Sequence, residues 1–158
     1  PYWIGNESSW AGITTQSLQD ENRSAVFLVS IQDNNLTYCE KVIDGWLPTT
    51  GAVPDGVCQF SIVLDENVTE LNFKYFGWDS YDSLITIRQA GFLDMDVSHI
   101  KPSWFSSYLG EKRRVMPMWV DMRWKHSNET ETSWLIPVKY QDPTHMYSAY
   151  KQQSEGGN

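Results

Sequence analysis

Basic residues are scarce in this chain, and so are cysteine, histidine and long apolar runs. Twelve Lys and Arg stand against twenty Asp and Glu, for a net charge of −8. That removes nucleic acid from the expected partners, because its affinity comes mostly from cationic contacts to phosphate. The one basic cluster, Lys112-Arg113-Arg114, reads as a solvated turn. The longest apolar run, Ala25 to Ile31, falls well short of the roughly 18 to 20 residues a membrane helix needs, so no membrane span is expected. His99, His126 and His145 stand apart, none at metal-ligand spacing. With no nucleophile elbow, phosphate loop or HExxH motif, no residue is assigned a catalytic role and the chain is not expected to be an enzyme. It opens Pro1-Tyr2-Trp3 with neither Met nor a signal peptide, as expected of a processed or excised chain.

The two cysteines, Cys39 and Cys58, lack CxxC partners and fall on separate predicted strands. In an oxidising compartment a single pair of this kind is a disulfide, worth about 3 kcal/mol in the chain-entropy account. A second signal points to the same compartment. Five N-x-S/T triplets begin at Asn6, Asn22, Asn35, Asn67 and Asn128, none with Pro in the middle. Ser and Thr together make about a sixth of the chain, so chance accounts for roughly one. All five fall in predicted loops or at strand starts. A secreted or extracellular glycoprotein is the expectation, with N-linked glycans covering those tips and any partner docking elsewhere.

Aromatic residues are abundant: eight Trp, eight Tyr and six Phe in 158 residues, enough to fill a large core. Their spacing is that of strands. Met116, Met118, Val120, Met122 and Trp124 occupy every second position, and Trp134, Ile136, Val138 and Tyr140 resume the parity after a polar tip. Turned near Asn128 and Glu129, the two rows share one inward face of an antiparallel hairpin. A second hairpin is predicted from Val57 to Tyr75, with Leu64 opposite Leu71, Ile62 opposite Phe73 and Phe60 opposite Tyr75. Residues 25–32 and 36–43 read as strands joined by Asp33-Asn34-Asn35, and residues 44–56, with three Gly and two Pro, as a loop. LITIRQ (residues 84–89) reads as a short strand. Residues 102–110 suit one or two helical turns carrying Trp104, Phe105, Tyr108 and Leu109 on one face, and Asp142-Pro143 opens a last short helix.

These elements predict an all-β fold, an antiparallel β-sandwich of jelly-roll or immunoglobulin-like topology with about seven or eight strands and one or two short helices. Residues 1–20 form an extended N-terminal arm, 21–150 the sandwich, and 151–158 a polar C-terminal tail. Tyr2, Trp3, Ile4 and Trp10 on the arm must be buried on their own domain or on a neighbour. The functional expectation is accordingly extracellular protein–protein interaction or self-assembly, such as a filament or cell-adhesion contact. In it the arm adds a strand to another copy or another extracellular protein. The alternative is a lectin-like carbohydrate-binding module. Trp78, Asp79, Tyr81 and Asp82 would form its sugar site and Trp46 a second platform, while Asp79 with Asp82, or Asp94 with Asp96, would offer oxygens to Ca²⁺. No other cofactor is expected.

Overall fold

In the computed structural model, which describes residues 2–46, 48, 51–93 and 96–138, Val120, Met122 and Trp124 of the predicted hairpin's inward row pack against a second sheet. Among the described residues ten strands form two sheets. The larger runs β5(Phe60–Asp65), β4(Asn35–Val42), β3(Ala25–Gln32), β2(Ser9–Thr14), β1(Trp3–Gly5), β8(Tyr108–Leu109). The smaller runs β10(Glu131–Pro137), β9(Trp119–His126), β6(Val68–Gly77), β7(Ser103–Phe105). Two short helices complete the described chain: α1(Tyr81–Leu93) and α2(Gly110–Arg113). The fold is an all-β antiparallel sandwich. Its larger sheet is a meander in chain order from β1 to β5, a simpler connectivity than the interleaved strands of a jelly roll or an immunoglobulin-like sandwich. The predicted C-terminal helix, Tyr140 and the 151–158 tail lie outside the described residues.

The core forms where the inner faces meet. Trp3, Phe27, Val29 and Leu36 of the larger sheet pack on Phe73, Tyr75, Val120, Met122 and Trp124 of the smaller. Trp10 contacts Trp3, Phe27 and Phe73 through rings 5.2, 5.0 and 6.3 Å apart. Tyr75 is fully buried, and its hydroxyl reaches across to the carbonyls of Asn6 and Ser9 at 2.9 and 3.1 Å. The Tyr75 ring lies on Gly5, so closely that a Cβ there would sit 2.3 Å from the ring. Burial raises the Tyr75 phenol above its ordinary value.

Four expectations are corrected. The N-terminal segment is no free arm: β1 is hydrogen-bonded on both sides, to β2 and β8, and Trp3 is buried in its own domain. The Val57–Tyr75 hairpin does not form. Val57–Gln59 is a 3-10 turn, β5 pairs with β4 in the larger sheet, and β6 crosses to the smaller one to pair with β9. β6 alternates as predicted, whereas β5, with Ile62, Val63 and Leu64 all exposed, does not, and β4 offered it an unpaired edge next in sequence. LITIRQ lies inside α1, because Ser80 caps it: its hydroxyl accepts the Ser83 amide at 3.2 Å, and Asp82 adds a carboxylate to the first turn. Residues 103–105 and 108–109 are strands rather than helix. β7 pairs with β6 and β8 with β1, so this stretch joins the edges of both sheets.

Other expectations hold. Cys39 and Cys58 form a disulfide, although Cys58 sits on the 3-10 turn rather than a strand. Asp33 and Asn34, both at positive φ, make the two-residue turn between Gln32 and Asn35. Met122 faces Trp134 and Val120 faces Ile136, as the parity predicted. Trp124 is buried, but Trp134 is 50 % exposed, because β10 is an edge strand. There the sheets splay into an apolar cleft of about 300 Å³, lined by Trp10, Phe27, Tyr38, Leu64, Met122 and Trp134 among others.

One buried carboxylate closes the far end of the larger sheet. Glu40 is fully buried on the inner face and accepts from the Ser17 hydroxyl (2.5 Å), the Leu18 and Gln19 amides (3.2 and 3.1 Å) and the Tyr38 hydroxyl (2.9 Å). It thereby fixes the β2–β3 loop. Burial opposes its charge, but these donors outweigh burial and hold the carboxyl below its ordinary 4.5.

Two predictions follow from this packing. Gly5→Ala, which drives a methyl into Tyr75, should destabilise the chain by roughly 1–3 kcal/mol in denaturant titration; an unchanged midpoint would refute the contact. Glu40 has a depressed folded pKa, so its contribution is present above pH 4.5 and is lost as pH falls through the lower folded value. Glu40→Gln should therefore lower stability at neutral pH by about 1–3 kcal/mol. The gap from the parent chain should narrow in acid, and a gap constant with pH would contradict the assignment.

Candidate functional site

Antiparallel connectivity decides where the sequons sit. The β3–β4 turn, the β5–β6 crossing and the β9–β10 turn lie at one end of the sandwich, laced together by Val68 N–H to Asn34 O (2.8 Å) and Ser127 N–H to Asn67 O (2.9 Å). Asn35, Asn67 and Asn128 therefore share a pole. The β1–β2 turn lies along β6 instead, where Glu7 O accepts from Phe73 N–H at 2.9 Å and Asn6 O from the Tyr75 hydroxyl, and Asn22, on the β2–β3 loop, is at the other end of the larger sheet. Asn35 is half-buried and the other four are exposed. At Asn128 the Thr130 hydroxyl donates to Oδ1 at 2.6 Å, and at Asn6 the Ser8 hydroxyl does so at 3.1 Å.

At that same pole Asp65, the last residue of β5, clasps the smaller sheet. Its Oδ2 accepts from Trp124 Nε1 at 2.7 Å and lies 2.9 Å from His126 Nε2. The Trp124 hydrogen bond, ahead of the one from His126, holds the Asp65 carboxyl below its ordinary range. His126 Nδ1 lies 3.2 Å from the Thr130 hydroxyl, an Asp–His–hydroxyl order that resembles nucleophile activation. The Thr130 proton, however, goes to Asn128 at the shorter 2.6 Å, so the hydroxyl is not delivered to the histidine as a nucleophile. The group is a clasp between sheets.

The opposite pole of the smaller sheet carries a different surface. Phe76 pairs with Trp104 on one side and Trp119 on the other, and Trp119 with Pro137. Residues in one register row share a face, so Trp104, Phe76, Trp119 and Pro137 cross the whole outer face of the sheet. Trp104 and Trp119 are 48 % and 37 % exposed, and the Trp104 and Phe76 rings are 5.2 Å apart at 49°. In the next row Lys74 is opposite Asp121, and beyond it Asn72 is opposite Arg123. Asp121 and Arg123 pair at 3.0 Å, and Lys125 lies 3.4 Å from Glu129 and 3.9 Å from Glu70.

The residues singled out from sequence are not brought together in this way. Tyr2 is half-buried and donates to the Ala52 carbonyl, which ties β1 to the long β4–β5 loop. Ile4 pairs with Ala11 and Leu109 inside the sheet. Trp46 donates to the Val42 carbonyl at 3.1 Å, with Lys41 over its ring. Trp78 and Tyr81 pack against the core. The Trp78 carbonyl is taken by the Tyr108 hydroxyl, the Asp79 carbonyl by Arg113 and the Asp82 carbonyl by Thr86. The two rings expected to be a sugar platform are thus employed internally. Among the described residues no group of three or more His, Cys, Asp or Glu is placed to hold a metal ion, and Asp94 lies outside them.

The basic cluster also differs from a solvated turn. Arg113 lies 3.8 Å from the Phe105 ring centroid, and Arg114 sits over Tyr81.

The aromatic row was not legible in the sequence, because the spacing of residues 102–110 suits a helical turn and takes Trp104 off the strands. Its one trace is the alternation of Tyr75 with Phe76 and of Phe105 with Trp104, inward against outward.

For the clasp, Asp65→Ala should lower the melting temperature by a few degrees and move the Trp124 Nε1–H resonance, since a buried indole loses its acceptor; an unmoved resonance would contradict it. Among known proteins, no family model, no curated protein and no solved structure matches this chain.

Proposed function

We propose that this chain is a secreted, N-glycosylated module that acts by extracellular recognition rather than by catalysis. The observation that carries the reading is the separation of two surfaces. Three sequon asparagines, Asn35, Asn67 and Asn128, gather at one pole, and an exposed aromatic row lies on the smaller sheet at the other. Glycans at those three positions lie away from that row. Exposed Trp in register is costly to a soluble surface and suits a contact site. The Cys39–Cys58 bridge suits an oxidising compartment.

Recognition by N-terminal strand addition is not part of this reading, since β1 has no free edge. Among the described residues β10 is an edge strand, and a protein partner, whether another copy or a different extracellular chain, would meet it where Leu135 is 59 % exposed.

Expression in a secreting eukaryotic host tests the compartment. Peptide mass spectrometry after glycosidase treatment should find occupancy at the exposed Asn22, Asn67 and Asn128, and the secreted chain should carry no free thiol. Retention inside the cell with all sequons bare would overturn the reading.

A further inference from the structure

We propose that the outer face of the smaller sheet binds a neutral oligosaccharide whose sugar rings lie across Trp104, Phe76 and Trp119. This rests on the reading of that face as the recognition surface and names its ligand class. Each of the three rings stands on its own strand, and neighbouring strands are about 4.8 Å apart, so the row offers successive stacking positions along a single saccharide chain. The Trp104 and Phe76 planes are inclined by 49° to one another, so the rings do not form one flat platform. That suits a soluble, twisting chain rather than a flat crystalline surface.

A sugar ring has an apolar C–H face and a hydroxyl edge, and this surface supplies the complement of both. Beside the aromatic row lie Lys74 and Asp121, then Asn72 and Arg123. The Asp121–Arg123 pair, held at 3.0 Å, sets carboxylate acceptors next to guanidinium donors for adjacent hydroxyls. Charge then selects among saccharides. On the outer face Glu70, Asp121 and Glu131 balance Lys74, Arg123 and Lys125, and the whole chain is at −8. A sulfated or uronic polyanion meets no positive field, whereas a neutral chain needs none. Carbohydrate binding thereby moves from the Trp78–Asp82 run, whose rings are packed inward, to a face that had no assigned role.

The test uses the full secreted chain, with and without its own glycans removed, against an array of neutral oligosaccharides built from glucose, N-acetylglucosamine, mannose and galactose. Calorimetry on the best binder follows. Binding is expected, and Trp104→Ala and Trp119→Ala should each weaken it roughly tenfold or more. Trp134→Ala, which removes an exposed indole off the row, should leave affinity unchanged. Thermal melts keep the comparison among folded variants, and Phe76→Leu serves if a Trp variant fails to fold. No binding to any neutral oligosaccharide overturns the proposal, as does binding insensitive to Trp104 and Trp119. If sedimentation instead finds a dimer that Trp119→Ala disperses, the sugar ligand is wrong while the recognition surface stands.

Discussion

Tyr75 resting on Gly5 is the contact on which the sandwich depends. A large ring from the middle of β6 can reach the carbonyls of the β1–β2 turn only because the residue beneath it has no side chain. That approach sets the spacing of the sheets at their most aromatic point, with Phe73 and Tyr108 on either side of the ring. Trp3, Trp10 and Phe27 fill the space that remains. Residues 2–14 are therefore structural: without β1 and β2, Tyr75 loses the surface it packs on and the acceptors of its hydroxyl.

The polarity of the surface comes from the same connectivity. A meander alternates its turns between two ends, so the first and third turns share one pole of the larger sheet. The crossing from β5 to β6 and the tip of the β9–β10 hairpin are drawn to that pole by hydrogen bonds to Asn34 and Asn67. No signal in the individual sequons encodes this clustering; it follows from strand order. The aromatic row is at the opposite end for an equally simple reason: it is built from the last residues of β6 and β10 and the first of β9.

Much of this was legible from spacing. Alternation located β3, β4, β9 and β10 and the shared face of the last hairpin, and two cysteines predicted their own bridge. What spacing does not encode is which sheet a strand joins. The strands β5 and β6 match each other's parity, and Asn67, at positive φ, looks like a hairpin tip, yet the edge of β4 claims β5. At LITI the branched residues argued for a strand, and a single serine cap with packing of Leu84 decided for a helix. At Trp104 and Phe105, Pro102 and Gly110 mimicked helix punctuation while two vacant sheet edges drew the chain straight. The candidate site was hidden by these last errors, because a row across strands is visible only once the strands are placed.

The division between the sheets also governs the order of assembly. Pairings β1 through β5 join neighbours in sequence, whereas β6 waits for β9, whose first residue is Trp119, before it has a full-length partner. A chain emerging from its N-terminus thus completes five strands by Asp65 and then holds a bare inner face of Trp, Phe and Tyr until the other half arrives. That interval is when such a surface aggregates. Sugars on Asn6, Asn22 and Asn35, in the reading proposed above, would already be attached by then and would keep the half-built sandwich in solution.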